Sequence, residues 1–425
     1  MSQRRALAGW LLLAAVISTA ISTLWPLHPK SWAGLLTWSA GVMVWSEIPP
    51  HTRRQVIILI FIGLLCILWG FMQQLTPDWS MMLSGNALLL SMLAAVSFLR
   101  LITRPGTDND ERLPHGRRAI WSTLLGVHLF GAVINLSSVF IIGDRVRGPG
   151  QLSRAQSIVL TRGFASAAFW SPFFAAMAAA MTYAPGAKLE QVWLMGIPLA
   201  VIALLVTGFN RRARQRFVGY PMHPSALALP AILALAVLVL HQVRPAWHIL
   251  GIICLLSPSL ALLVVTLNRH QPLPLLRQHI TQEMPGMHNE LSLFLAAGVM
   301  AAGLNVVFQG FGGWLPFASF GGMEASLTLL FMLITSIAGV HPVINIAALG
   351  TLLVPLQPNG TLLAMTFLSA WAIGVASSPF SGINLSMQGR YGQKSMDSLK
   401  WNGIYSLVMF LCSVAALNLY ATLIL

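Results

Sequence analysis

The chain has 425 residues, of which 56% are hydrophobic and 8% charged, and a formal net charge of +14. A soluble domain carries roughly 25% charged residues, so the composition excludes an ordinary soluble globule; it supplies instead apolar runs of about 17–25 residues, the length that crosses a bilayer as a helix. The positive charge lies in short loops, not on a basic face with interleaved aromatics, which excludes nucleic acid as a partner and leaves Lys and Arg the task of setting topology.

The N-terminal stretch "MSQRRALAGWLLLAAVISTAISTLW" has a basic start and a long apolar run with no Ala-x-Ala-like cleavage site, and reads as a retained first span. Hydropathy predicts spans over 7–25, 32–48, 55–73 and 81–99, and again over 191–209, 224–241, 247–267, 291–309 and 401–424. Arg4 and Arg5 precede the first span, and Arg53 and Arg54 follow the second. Arg100, Arg104, Arg112, Arg117 and Arg118 follow the fourth, and Arg211, Arg212, Arg214 and Arg216 fill a later loop. Loops 74–80 and 310–320 carry no positive charge. The alternation puts the N-terminus in the cytoplasm and the C-terminus outside. Cys66, Cys254 and Cys412 all fall inside apolar runs, with neither a disulfide framework nor a metal-ligand spacing.

Four segments depart from simple spans. The stretch 117–142 is long, is interrupted by "GVHLFG", and has basic residues on both flanks, which predicts a re-entrant hairpin. The stretch 322–356, two apolar halves joined by "AGVHPV", predicts a second hairpin entering from the other side. The stretches 157–184 and 361–389 each hold a mid-membrane Ser-Pro, Ser171-Pro172 and Ser378-Pro379. Proline removes a backbone donor and clashes with the preceding turn, so each helix should break there. Gly126-Val127-His128 precedes Ser171-Pro172-Phe173 as Gly339-Val340-His341 precedes Ser378-Pro379-Phe380, and "VIN" occurs at both 133–135 and 343–345. One unit of span, hairpin, broken span and span therefore occurs twice, in opposite orientation, as secondary transporters are built. The expected organisation is N-terminal scaffold helices over 1–80, a first repeat over 81–209, a linker with two connecting helices over 210–290, and a second repeat over 291–425. The polar segment 272–285 reads equally as an interfacial arm or a cytoplasmic loop.

Non-helical backbone within a bilayer survives only where it is buried in protein or lines a wet cavity. Helix N-termini exposed at such breaks attract anions, and unwound carbonyls attract cations. The polar side chains near the breaks are His128, Asn135, Ser137, Ser138, Ser166 and Ser171 in the first repeat, and His341, Asn345, Ser377, Ser378, Ser381 and Asn384 in the second. Ser, Thr and Asn also join membrane helices without any ligand; clustering around both prolines is what marks this set as a binding site. His128 and His341 are each expected to donate to an anionic solute or to change protonation. No Asp or Glu falls firmly at mid-membrane; Asp144 and Glu324 border the hairpins in a solvated role. Coupling then uses sodium, held by carbonyls and hydroxyls, or protons, carried through histidine. Arg162, at the entry of the first broken helix, either neutralises the substrate or snorkels to the cytoplasmic interface, and snorkelling is the simpler expectation.

This plan of about eleven transmembrane helices and two opposed hairpins, strongest at 331–390, resembles the ion transporter superfamily of divalent anion:sodium symporters, dicarboxylate carriers and arsenite-type transporters. The resemblance implies that the hairpin tips and the two helix breaks hold substrate and sodium. Carried over, it marks His128, Asn135, His341 and Asn345 together with Ser171-Pro172 and Ser378-Pro379. Gly-Val-His stands where dicarboxylate members have Ser-Asn-Thr. The resemblance also implies a homodimer. The expected protein is an all-α polytopic membrane protein, not an enzyme and without a cofactor, that moves an organic or inorganic anion across the bacterial inner membrane by elevator-type alternating access. A lipid-linked phosphate carrier, a membrane-embedded enzyme acting on a lipid-linked substrate, and a passive anion channel are the alternatives.

Overall fold

The computed structural model describes residues 3–102, 113–147, 151–209, 217–222, 228–268, 272–311 and 315–424. Arg104, Arg112, Arg211, Arg212, Arg214, Arg216 and the start of the span expected from residue 224 lie outside the described residues.

The helices are α1 (Gln3–Leu24), α2 (Ser31–Val44), α3 (Pro50–Met72), α4 (Trp79–Ser84), α5 (Ala87–Ser97), α6 (Gly116–Ile134) and α7 (Ser137–Arg147). They continue as α8 (Arg154–Ser166), α9 (Ala175–Tyr183), α10 (Leu189–Gly208), α11 (Ala228–Val243), α12 (Ile249–Asn268), α13 (Pro272–Gln278) and α14 (His288–Gly310). The last are α15 (Gly322–Ile337), α16 (Pro342–Leu353), α17 (Gly360–Ser377), α18 (Gly382–Tyr391) and α19 (Asp397–Ile424). No strand occurs among the described residues, only an isolated bridge between His115 and Val218. Eight helical stretches among them are long and apolar enough to cross a membrane. The protein is a polytopic, multi-pass α-helical membrane protein.

One expected span needs correction, and two segments gain detail. The span expected over 32–48 is a helix of 14 residues followed by a 3-10 turn; at 1.5 Å per residue its α-helical part reaches about 21 Å, short of the ~30 Å hydrocarbon core. The span expected over 81–99 lies within Trp79–Leu101, which is long and apolar enough to cross, with a two-residue turn at Gly85–Asn86 between α4 and α5. The segment 272–285, expected as an interfacial arm or a loop, is helical, with a π-helical turn over His279–Glu283 whose His279 is fully buried and hydrogen-bonded to Ser97 at 3.0 Å and Glu283 at 3.1 Å.

The chain divides into two compact units. The first comprises Met1–Ile102, Ile232–Pro316 and Ile346–Pro355. Within it α3 lies along α14, so closely that a Cβ on Gly63 would strike the Val299 backbone and one on Gly303 the Gly63 backbone; small residues let membrane helices approach in this way. Asn86, at the α4–α5 break, donates to the Phe294 carbonyl of α14 at 2.7 Å, and Thr19 of α1 donates to Ser91 of α5 at 2.8 Å.

The second unit comprises Thr103–Ala231, Phe317–Asn345 and Leu356–Leu425, and holds every candidate site residue. Its centre is α17, buried along its whole length. The same packing pattern occurs twice: α8 lies against α6 and α10, and α17 lies against α15 and α19. Division by packing thus differs from division by repeat, since α5 and α14 fall in the first unit.

Candidate functional site

Both Ser-Pro pairs interrupt their helices, and by the same chemistry. Ser171 N–H closes the last turn onto the Ala167 carbonyl at 2.9 Å, and Ser378 N–H onto the Gly374 carbonyl at 2.8 Å. The Ser171 hydroxyl donates to the Ala132 carbonyl at 2.6 Å, and the Ser378 hydroxyl to the Ser336 carbonyl at 2.6 Å. Phe173 N–H donates back to the Ser171 Oγ at 3.2 Å, and Phe380 N–H to the Ser378 Oγ at 3.2 Å. Phe174 N–H and Ser381 N–H then reach the Ser171 and Ser378 carbonyls, at 3.3 and 3.2 Å. Ala132 and Ser336 belong to the last turns of α6 and α15, whose carbonyls have no partner inside their own helix. Each serine therefore pins a break to the end of the first helix of the preceding pair, α6 or α15, while Pro172 and Pro379 forbid the α-helix from continuing.

Only the second of the two helix pairs turns where the sequence echo put it. Gly126-Val127-His128 lies within the uninterrupted α6, and the chain turns at Asn135–Leu136. Gly339-Val340-His341 does form the turn between α15 and α16. Likewise "VIN" ends α6 in the first copy but begins α16 in the second. What the two turns share is a positive φ, 55° at Asn135 and 104° at Gly339.

The two histidines consequently differ. His128 is 4% exposed; its Nδ1 faces the Gly163 carbonyl at 3.1 Å and Ser166 Oγ at 2.9 Å, and its Nε2 accepts from Trp170 Nε1–H at 3.1 Å. Indole nitrogen only donates, which fixes the neutral ring with its proton on Nδ1 and leaves neither nitrogen for a solute. At the second turn, His341 Nδ1 accepts from Val343 N–H at 3.2 Å, capping α16, and the ring stands edge-on to Trp371. Its Nε2 thus carries the proton, and no hydrogen bond to it occurs among the described residues. The side chains of Asn135 and Ser137 at the first turn also make no hydrogen bond among the described residues, whereas Ser138 returns to the Asn135 carbonyl at 2.8 Å.

The second break is the more polar. Asn384 Nδ2 donates to the Ser378 carbonyl at 2.9 Å and lies 3.4 Å from the carbonyls of Val375 and Ala376. Asn402 donates to the Ala376 carbonyl at 2.7 Å, and Ser398 to the Ser377 carbonyl at 3.2 Å. Ser381 caps α18 through Asn384 N–H, and Ser377 bonds back into its own helix at the Ile373 carbonyl. Asn345 fastens the start of α16 to Thr335 at 2.8 Å. The position matching Asn384 in the first copy is Met177.

Arg162 does not snorkel. It is 6% exposed; its Nε donates to Asn402 Oδ1 at 2.7 Å, its Nη2 to the Trp401 carbonyl at 2.9 Å, and its guanidinium lies 4.4 Å from the centre of the Tyr405 ring. Sequence reasoning passed over Asn402, Tyr405, Ser398 and Trp170. The signal for Asn402 and Ser398 was present, a polar residue at the head of an apolar run, but nothing local links them to Arg162.

At the hairpin borders Glu324 accepts from Gly321 N–H at 2.9 Å as a helix cap. Asp144 pairs with Arg390 and accepts from the Tyr391 hydroxyl at 3.1 Å; the Arg390 guanidinium holds its carboxyl below the usual carboxylate range. Among the described residues no group of three or more His, Cys, Asp or Glu gathers as a metal site. The chain matches no protein-family model and no curated protein.

Proposed function

We propose that the protein is a secondary active transporter for a small organic or inorganic anion in the bacterial inner membrane, with its N-terminus cytoplasmic, coupled to sodium or protons. The observation that carries this reading is the pair of helix breaks held by one hydrogen-bond pattern, at Ser171-Pro172-Phe173 and Ser378-Pro379-Phe380. A duplicated, specifically fastened discontinuity in apolar helices is the construction that membrane carriers use to bring backbone groups to a solute. The unpartnered Asn135 and Ser137 side chains and the His341 Nε2–H supply polar groups at the turns. On this reading 117–142 and 322–356 are re-entrant hairpins in inverted repeats. The hairpins and broken helices travel together as an elevator module, and a homodimer follows from the resemblance to ion transporters. The three second-break carbonyls facing Asn384 are the sodium ligands this reading requires, so a bound ion exchanges with that amide.

Counterflow in proteoliposomes loaded with a panel of labelled anions, with and without a sodium gradient, tests the reading. Saturable exchange of at least one anion is expected, and His341→Ala should impair it while leaving folding intact. Absence of exchange for the whole panel, or flux that rises linearly without saturation, overturns the carrier reading.

A further inference from the structure

Arg162 is a buried cation for which the second unit offers no counter-charge: no carboxylate among the described residues pairs with it. An ion taken out of water costs several kcal/mol unless it is paired and fully hydrogen-bonded, and Arg162 is only half provided for. Its Nε and one Nη2 proton are used by Asn402 and Trp401; Nη1 has no partner among the described residues. Tyr405, on whose ring the guanidinium rests, is 2% exposed, and its hydroxyl is also without a partner. A buried, unsatisfied hydroxyl and a charged donor with no protein partner among the described residues thus meet at the same ring. The two partners of Arg162, Trp401 and Asn402, also line a narrow cleft with Thr161, Asn384 and Ser398, with the exposed Lys394 at its rim; Arg162 and Tyr405 themselves stand behind that wall. Its interior, about 10 Å³, holds about one water, so any larger head enters only as the walls part.

We propose that Arg162 Nη1 and the Tyr405 hydroxyl anchor the oxyanion head, a carboxylate or a sulfate- or phosphate-like group, of the transported solute, with Asn402 holding the guanidinium in register. This rests on the carrier reading and names the group that would confer its anion selectivity. The guanidinium suits the task because its planar donors match the two oxygens of such a head. It also explains why the chain keeps a tyrosine there: with no ligand, phenylalanine would fill the same space without an orphaned hydroxyl.

The test measures the thermal shift of purified protein in neutral detergent with sodium acetate, sulfate or phosphate at constant ionic strength, against chloride, and separately with phosphatidylglycerol. At least one soluble oxyanion should stabilise the wild type saturably. Tyr405→Phe, which removes one hydrogen bond to a charged group, should weaken that binding about 10-fold while leaving the unliganded protein as stable or more so. Arg162→Lys should weaken it further, and Arg162→Gln should abolish it. Unchanged affinity in both Tyr405→Phe and Arg162→Lys overturns the proposal, as does stabilisation by phosphatidylglycerol alone, which would make the site a lipid contact. Counterflow that saturates normally in Arg162→Gln would overturn the anchor and leave the carrier reading intact; anion binding without counterflow in the wild type would do the reverse.

Discussion

Because the two breaks are fastened alike, Ser171→Ala and Ser378→Ala should cost the same. Each substitution deletes one hydroxyl that donates at 2.6 Å and accepts at 3.2 Å. Both serines are buried, at 0% and 2% exposure, so water does not replace the lost partners. In soluble proteins a buried group stripped of its bond costs about 1–3 kcal/mol. Side-chain hydrogen bonds in a membrane bundle average nearer 0.6 kcal/mol, because the denatured state in lipid also finds partners. With the Ala132 carbonyl and one N–H orphaned at the first break, and one N–H at the second, where Gly339 N–H keeps the Ser336 carbonyl bonded at 3.1 Å, the loss should be about 1–3 kcal/mol per variant, and the two should agree within about 1 kcal/mol. Unfolding in mixed micelles of increasing SDS fraction measures it. Far-UV circular dichroism before the transition should be unchanged, since proline already holds each break open. If Ser378→Ala costs about 2 kcal/mol and Ser171→Ala nothing, the shared geometry is not energetically shared, and the argument from duplication fails.

Three further outcomes follow from individual residues. Asn135 holds φ 55° and ψ −143°, a conformation natural only to glycine, with its amide unbonded; Asn135→Gly should stabilise by about 1 kcal/mol in the same unfolding assay yet slow counterflow, and unchanged transport would remove this side chain from the site. Gly339→Ala forces a Cβ to 3.3 Å from the Phe380 ring at φ 104° and should destabilise by about 1–2 kcal/mol, which an unchanged midpoint would refute. His128→Ala leaves the Trp170 indole N–H unpartnered, while the Gly163 carbonyl keeps Ser166, and should unfold about 2 kcal/mol more easily, whereas His341→Ala, which loses one helix cap, should cost about 1 kcal/mol or less. Equal stability losses at the two histidines would contradict their different bonding.

Asp144 sets the pH dependence at the hairpin border. Arg390 depresses its carboxyl, so the folded protein releases the proton more readily than the unfolded chain. The contribution is present in full above the ordinary carboxylate pKa and is lost as pH falls through the lower, folded value. With the Asp144 side chain 36% exposed, screening keeps it to ~1 kcal/mol or less. Asp144→Asn should remove the loss that sets in below the ordinary carboxylate pKa of about 4 and leave the rest of the pH profile unchanged; a shift near neutrality would point to another group.

Composition and hydropathy made the class of fold legible, because a membrane helix needs only length and apolarity, both local properties. They failed where length alone misled. The span at 32–48 scored as apolar, yet Trp45–Glu47 tightens into a 3-10 turn before Pro49-Pro50 restarts the chain. At 81–99, Gly85-Asn86 opens the helix so that Asn86 can reach another helix's carbonyl. Apolarity cannot register that exchange.

The candidate site divides along the same line. Ser-Pro-Phe was a faithful guide because proline dictates its own backbone: the ring excludes the helix, and the preceding serine is then the nearest hydroxyl to a stranded carbonyl. Gly-Val-His dictates nothing of the kind. Glycine and valine are at home inside a helix, so the same three letters sit within α6 and at the turn before α16, and the first histidine became a packed, doubly bonded core group. The link between Arg162 and Asn402 spans 240 residues and leaves no periodic trace. An echo in sequence therefore carries structure only when its residues constrain the backbone directly. By that criterion the buried Arg162, whose partners are set entirely by tertiary packing, was the feature that no motif could announce.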